Sequence, residues 1–181
     1  MGYALAKIAM LRGAEVILIS GKTNLPVPNF VKLINVTSAK EMLEAVKDNF
    51  ENQDIIIKAA AVADYRPKEV FDGKLKKKDE NLSLELERTD DILKYVGEHK
   101  KNQFVCGFSM ETDNMIENSK EKLIRKNLDM IVANNLRQKG AGFAGDTNIV
   151  TIITRDNIQE LELLSKEEVA NKIIDSIKIN L

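Results

Sequence analysis

The chain has 181 residues, 44% of them apolar and 30% charged, with three prolines and nine glycines, which excludes disordered, collagen-like and low-complexity classes and fits a single domain with a real core. Its 27 basic and 28 acidic side chains leave a net charge of −1, so no global field draws it to nucleic acid or an anionic membrane, and any anion site has to be assembled locally. One cysteine and one histidine exclude disulfide frameworks, ordinary Cys/His zinc sites and Ser–His–Asp or Cys–His catalysis, leaving Lys, Asp, Asn and backbone groups to carry any chemistry.

Along the chain, helical and strand-like segments alternate, the mark of an α/β domain with a largely parallel, doubly wound sheet. Gly2 to Arg12 carries Leu5, Ile8 and Leu11 with alanines between them, a helix packed closely on a sheet; Gly13 ends it. Residues 14–19 form a β-branched run suited to a strand buried on both faces, and Val31 to Val36 reads as a second strand. Ser38 and Glu41 have capping-box spacing and open a helix through Phe50; Asp54 to Ala60 follows as another buried strand. A charged stretch from Lys68 to Glu80 reads as a flexible flap, and Leu82, Leu84 and Leu86 alternate as a half-exposed strand. Thr89 or Asp90 is expected to cap a helix through His99, before a strand from Phe104 to Phe108. An amphipathic helix is expected from Asn114 to Asn127, a strand from Asp129 to Ala133, and a Gly-rich loop from Asn134 to Thr147. Ile149 to Thr154 and Ile158 to Leu163 read as a hairpin, and Ser165 with Glu168 as a capping box for a last helix ending near Lys178. No apolar run reaches the roughly 18 residues of a membrane span and no signal sequence is read, so a cytoplasmic setting without membrane contact is expected. No repeat or domain boundary interrupts residues 1–181. A doubly wound domain ordinarily starts with a strand that feeds its first helix, and here a helix comes first, so a preceding strand and loop are expected to be missing.

In such sheets ligands bind beyond the carboxyl ends of the strands, and four segments there are unusual. Residues 59–67 hold four alanines that let a ligand approach the backbone, with Asp64 and Arg66 supplying charge; a small-residue crossover with a surface ion pair accounts for them equally well. Residues 66–78 contain six basic and two acidic side chains, a local +4 that includes Lys74, Lys76, Lys77 and Lys78, although charge runs are commonly just solvated loops. Gly107-Phe108 ends a strand where an aromatic ring can stack on a base or fill the core, and Lys122 and Lys126 share one face of the following helix. An anion between those two ammonium groups would relieve their repulsion; an exposed basic face is the alternative. Finally, Asn134 and the Gly-rich run through Phe143, Asp146 and Asn148 permit close backbone approach and polar readout, or form a long turn.

Taken together, Ala59 to Pro67, Lys74-Leu75-Lys76-Lys77, Gly107-Phe108 to Thr112, the Lys122/Lys126 pair, Asn134 and Gly142-Phe143 to Asn148 resemble, in order and spacing, the phosphopantothenate–cysteine ligase family of bacterial coenzyme A biosynthesis. Met1 to Ala6 is similar to the start of that family's first helix. The resemblance implies a Rossmann-like three-layer fold. It also implies activation of the carboxylate of 4′-phosphopantothenate by CTP with Mg²⁺, and attack of the L-cysteine amine on the acyl-cytidylate. Cations must then offset the repulsion between a phosphorylated acid and a triphosphate. By resemblance, Lys58, Ala59, Ala60, Asp64, Lys74, Asp90, Asp91, Ile92, Leu93, Phe108, Lys122 and Lys126 form the CTP site, and Lys74 is also the catalytic lysine on a closing flap. Arg66, Asn134, Phe143, Asp146 and Asn148 are substrate or loop candidates, and the metal ligands are unassigned.

Two departures from the family pattern stand out. Thr89-Asp90-Asp91 replaces the usual Asn-Pro-Asp, and since Asp90 and Asp91 would repel phosphate, backbone or sugar and base contacts are expected there. The Gly- and Ser-rich loop with an Asn that precedes the first helix in family members is not found, so these 181 residues are expected to bind CTP yet turn over poorly. The resemblance further implies a homodimer with the site near the subunit interface, and a flavin-dependent decarboxylase either fused or separate. Rival readings are a nicotinamide-dependent Rossmann reductase, whose G-x-G-x-x-G fingerprint is not visible, and a non-catalytic module that dimerises through the hairpin.

Overall fold

The computed structural model describes residues 1–71, 73–74, 82–111, 113–135 and 145–178. In chain order the elements are α1 (Gly2–Leu11), β1 (Ile17–Ser20), β2 (Lys32–Asn35), α2 (Ala39–Phe50), β3 (Ile55–Lys58), β4 (Tyr65–Pro67), β5 (Leu86–Arg88) and α3 (Ile92–His99). The second half holds β6 (Phe104–Glu111), α4 (Met115–Arg125), β7 (Met130–Asn135), β8 (Thr147–Asn148), β9 (Val150–Thr154), β10 (Ile158–Glu160), β11 (Leu164–Ser165) and α5 (Lys166–Asp175). A five-stranded sheet of order β10-β9-β7-β6-β3 forms the centre; β3, β6 and β7 run parallel, and β9 and β10 are added antiparallel.

Side-chain alternation along these strands builds two cores. Ile57, Phe104, Cys106, Phe108, Met130, Val132, Val150 and Ile152 meet Leu5 and Ile8 of α1 and Val169, Ala170 and Ile173 of α5. On the other face Ile56, Val105, Ile131, Ala133 and Ile153 meet Phe50 of α2, Leu93 and Val96 of α3 and Leu123 of α4. Period-2 strands between period-3.6 helices give the expected three-layer α/β architecture. Gly107 brings α3 close: a Cβ there would stand 2.8 Å from Leu93 Cδ2 and 3.0 Å from Leu128 Cδ1, so the hydrogen of glycine lets the helix settle on the sheet.

Several expectations are corrected. The two runs expected as buried strands are only half-buried: residues 14–19 give β1, whose one partner is β2 in a separate two-stranded sheet, and Asp54 to Ala60 gives the shorter β3, which lies at the edge of the central sheet with Asp54 and Ala60 exposed. Among the described residues nothing pairs with the second edge of β1 or of β3. Leu82 and Leu84 precede rather than form a strand; β5 begins at Leu86 and pairs antiparallel with β4, an element the sequence did not announce. Asp91, not Thr89 or Asp90, caps α3, its side chain accepting from the Lys94 amide at 3.0 Å. The hairpin is confirmed with a shorter second arm, and α5 carries the full capping box but ends at Asp175. No helix of the described residues is long and apolar enough to cross a membrane.

Candidate functional site

A cleft of about 340 Å³ opens beyond the carboxyl ends of β3 and β6 and is walled by the first turn of α3, by α4 and by the starts of β8 and α5. Its floor is the extended run Ala59 to Ala63, whose small side chains leave the backbone approachable. Ala59 packs into the α1/α5 core whereas Ala60 is exposed. Thr89 ties this run to α3: its amide donates to the Asp64 carbonyl at 2.9 Å, and its hydroxyl to the Ala63 carbonyl at 2.5 Å. Two short segments distant in sequence thereby become one wall.

Four lysines line the cleft, Lys166 at the start of α5 and three others. Lys58 arrives at the end of β3, and Lys122 and Lys126 on successive turns of the end of α4. The Lys122 ammonium donates to the Phe108 carbonyl at 3.3 Å, and Lys126 pairs with Asp91 at 2.6 Å. Among the described residues neither Lys58 nor Lys122 has a carboxylate within ion-pair distance. Burial pushes the Lys58 pKa down, and Lys122 and Lys126 push it further. Burial likewise lowers Lys122, with Lys126 adding to the effect. Burial would raise Asp91, but the Lys126 ammonium and the Lys94 amide outweigh it and hold its carboxyl below the ordinary value.

A buried acceptor completes the site. Asn134, 8% exposed at the end of β7, has a side-chain oxygen without any hydrogen-bond partner in the described structure. Such an atom normally costs about 1–3 kcal/mol, and it lines the cleft, so a donor on a ligand satisfies it. Asn148 also lines the cleft, but its oxygen is taken by the Ile149 amide at 3.1 Å. Phe108 forms part of the wall while packing into the α1/α5 core.

The structure therefore brings together Lys58, Ala59, Ala60, Asp64, Asp90, Asp91, Phe108, Lys122, Lys126, Asn134 and Asn148. Ile92 and Leu93 reach the cleft as the first turn of α3, but their side chains are core, 3% and 2% exposed. What they offer a ligand is backbone. Three candidates lie elsewhere among the described residues: Arg66 pairs with Glu87 at 2.6 Å on the β4–β5 ribbon, Lys74 is exposed beyond it, and Asp146 is exposed, its carbonyl accepting from the Lys166 amide at 2.8 Å. Phe143, the flap lysines Lys76, Lys77 and Lys78, and Gly142 lie outside the described residues. Sequence reasoning missed Lys166, Ser109 and Thr89 as wall residues; Lys166 follows directly on the Ser165 cap, and only the fold carries that helix start to the cleft.

No cluster of three metal-ligating side chains occurs among the described residues. Asp64 and Asp90 nevertheless put two carboxylates on the cleft wall, neither in an ion pair among the described residues. That donor set fits Mg²⁺, which uses one or two carboxylates and completes its shell with phosphate oxygens and water.

Residues 1–180 match the model of the DNA/pantothenate metabolism flavoprotein C-terminal domain. The coenzyme A biosynthesis bifunctional protein CoaBC of Bacillus subtilis (strain 168) is 50% identical over 179 residues, 98% of this chain and 44% of that protein; the chain thus spans about half the length of the curated relatives it matches. The crystal structure of the C-terminal domain of a CoaBC superposes with a TM-score of 0.81 at 46% identity, over 96% of this chain and 78% of that one. A Cab2 H337A mutant in complex with phosphopantothenate-cysteine shares the fold at 15% identity, with a TM-score of 0.76, over 96% of this chain and 76% of that one. This chain therefore belongs to the DNA/pantothenate metabolism flavoprotein C-terminal domain family.

Proposed function

We propose that this chain is a phosphopantothenate–cysteine ligase domain that activates the carboxylate of 4′-phosphopantothenate with CTP and passes the acyl group to the amine of L-cysteine. The observation that carries the reading is the pair of partly buried cleft lysines, Lys58 and Lys122, that have no carboxylate within ion-pair distance among the described residues, beside Lys126, which pairs with Asp91 at 2.6 Å. Ammonium groups partly withdrawn from water without a carboxylate partner call for an anion, and a nucleoside triphosphate meeting a phosphorylated acid supplies one. The family membership and the B. subtilis relative's name support the pathway.

The chemistry follows from the groups present. The substrate carboxylate oxygen attacks the α-phosphorus and pyrophosphate leaves; Lys58, Lys122 and Lys126 offset the negative charge that would keep the reactants apart and that builds on the phosphorus oxygens. Asp64 or Asp90 would hold Mg²⁺, which would supply positive charge to offset the negative charge of the departing pyrophosphate. The cysteine amine then attacks the acyl carbon, loses its proton and expels CMP, forming the amide. The free Asn134 oxygen accepts from an N–H or O–H of the bound nucleotide or acid, and Phe108 gives a ring an apolar wall. Lys74 closes over the reacting groups from the flap and excludes water from the mixed anhydride. CTP preference rests on the family resemblance, as do the homodimer, the cytoplasmic setting and the flavin-dependent decarboxylase partner.

Binding and turnover are read separately. In thermal shift, CTP with Mg²⁺ raises the melting temperature more than ATP or UTP does, and NADPH has no effect; stabilisation by NADPH alone would replace the ligase reading with the reductase. Turnover is measured as pyrophosphate release on adding phosphopantothenate, then as amide formation on adding cysteine. Light scattering tests the dimer.

A further inference from the structure

Among the cleft's charged groups Asp91 has two partners at once. One carboxylate oxygen accepts from the Lys94 amide at 3.0 Å and closes the first turn of α3, and the other meets the Lys126 ammonium at 2.6 Å. Lys126 is only 15% exposed on its side chain, whereas Asp91 is 43% exposed and opens to the cleft. A phosphate seated on Lys126 therefore has to share that ammonium with a carboxylate that helix capping fixes in place. Lys58 and Lys122 have no such partner among the described residues.

We propose that Asp91 is the resident counter-ion of the cleft: it occupies Lys126 while the site is empty, yields it to a ligand phosphate, and retakes it as the phosphate product departs. The inference rests on the polyanion reading above and deepens it. In the empty state Asp91 neutralises Lys126, one of three neighbouring, partly buried ammonium groups that would otherwise repel one another. In the occupied state its negative charge, about 5 Å from the incoming phosphate by the sum of two charge-assisted contacts, opposes binding. A fixed anion that stabilises the free protein and weakens the complex keeps the site from trapping pyrophosphate or CMP. Asp91 is a positioning residue in this scheme: it acts through Lys126.

Two substitutions isolate the charge, because Asn and Ser cap helices as well as Asp does. Asp91→Asn and Asp91→Ser keep the amide partner of Lys94 and remove the anion. The expected result is a paired, opposite movement: the melting temperature of the ligand-free variants falls, while the Kd for CTP and for inorganic tripolyphosphate, measured by calorimetry in the full chain, tightens about tenfold. A merely structural Asp91 would lower stability and affinity together. Adding Lys126→Met to Asp91→Asn should abolish the tightening, since no ammonium is left to release. Unchanged or weaker tripolyphosphate binding in both single variants, with native circular dichroism, overturns the proposal. If the parent chain binds tripolyphosphate but not CTP and the variants tighten, the nucleotide reading fails and the counter-ion stands. If the parent binds CTP and the variants do not tighten, the reverse holds; binding of neither overturns both.

Discussion

Gly97 is the residue through which packing and site geometry are most directly coupled. It sits buried in α3, and a Cβ built on it would overlap the carbonyl oxygen of Lys126 and stand 2.9 Å from the Lys126 carbonyl carbon, with Asn127 Cβ at 3.7 Å. The obstructing atoms are backbone, so no rotamer change relieves them. Asn127, held at φ 49°, also donates its side-chain amide to the Gly97 carbonyl at 2.9 Å. Gly97→Ala must push the end of α4 away from α3 and strain or break that bond. Overpacking costs about 1–3 kcal/mol and the hydrogen bond about 1 kcal/mol, against about 1 kcal/mol gained from the better helix propensity of alanine.

The net loss is roughly 1–3 kcal/mol, and at about 2–4 °C per kcal/mol for a chain of this size the melting temperature should fall by about 2–12 °C. The displaced residue is Lys126 itself, so its pairing with Asp91 loosens and the stabilisation conferred by saturating CTP should shrink as well. Thermal unfolding followed by circular dichroism, with and without CTP, measures both. A variant as stable as the parent, or more so, would show that α3 and α4 do not meet this closely. A destabilised variant with undiminished CTP protection would show that this contact does not position Lys126.

Three other outcomes follow. Lys74→Ala, remote from the cleft in this structure, should reduce pyrophosphate release far more than CTP affinity; equal losses would make it a nucleotide ligand. Because burial lowers the pKa of Lys58 and Lys122, CTP affinity should begin to fall at a pH below the ordinary lysine range. Over that same interval the unfolded chain binds more protons than the folded one, so these two groups should make the ligand-free protein more stable as pH rises toward about 10.4; titrating affinity and stability in parallel tests the opposed signs. Asp129, which holds Lys100 at 2.7 Å and the Val105 amide at 2.8 Å at the amino-terminal end of the sheet, should cost about 2–4 kcal/mol when changed to Ala with no change in CTP affinity.

What could be read beforehand depended on how local its cause is. The α5 cap was legible because both halves of the capping box, Ser165 and Glu168, lie three residues apart and bond each other in the structure. The α3 cap was not, because Thr89, Asp90 and Asp91 are all competent caps; Thr89 is drawn off to the Ala63 carbonyl, and Asp91 is fixed from the far side by Lys126. Strand identity followed from β-branched runs such as residues 55–57, but burial did not: β1 and β3 are both only half-buried, each with one edge unpaired among the described residues, since burial depends on neighbours distant in sequence. The cleft lysines were legible as a helical spacing, whereas the orphan oxygen of Asn134 became visible only once β7 was placed.

The near-neutral charge of the chain leads to the same distinction. Lys7, Lys47, Lys68 and Lys100 each sit within 3.0 Å of a carboxylate, and the first three of these pairs lie in solvent, where an ion pair contributes little. Lys58 and Lys122 have no carboxylate so close among the described residues and are partly withdrawn from water. Density of basic residues drew attention to the segment around Lys74, yet Lys74 is exposed, and a solvated lysine is already satisfied by water and exerts little demand for a ligand. A desolvated lysine without a carboxylate is not satisfied, and binding a polyanion removes that cost. The anion site is therefore set by where positive charge lacks a partner, which no count of lysines and glutamates along the sequence can show.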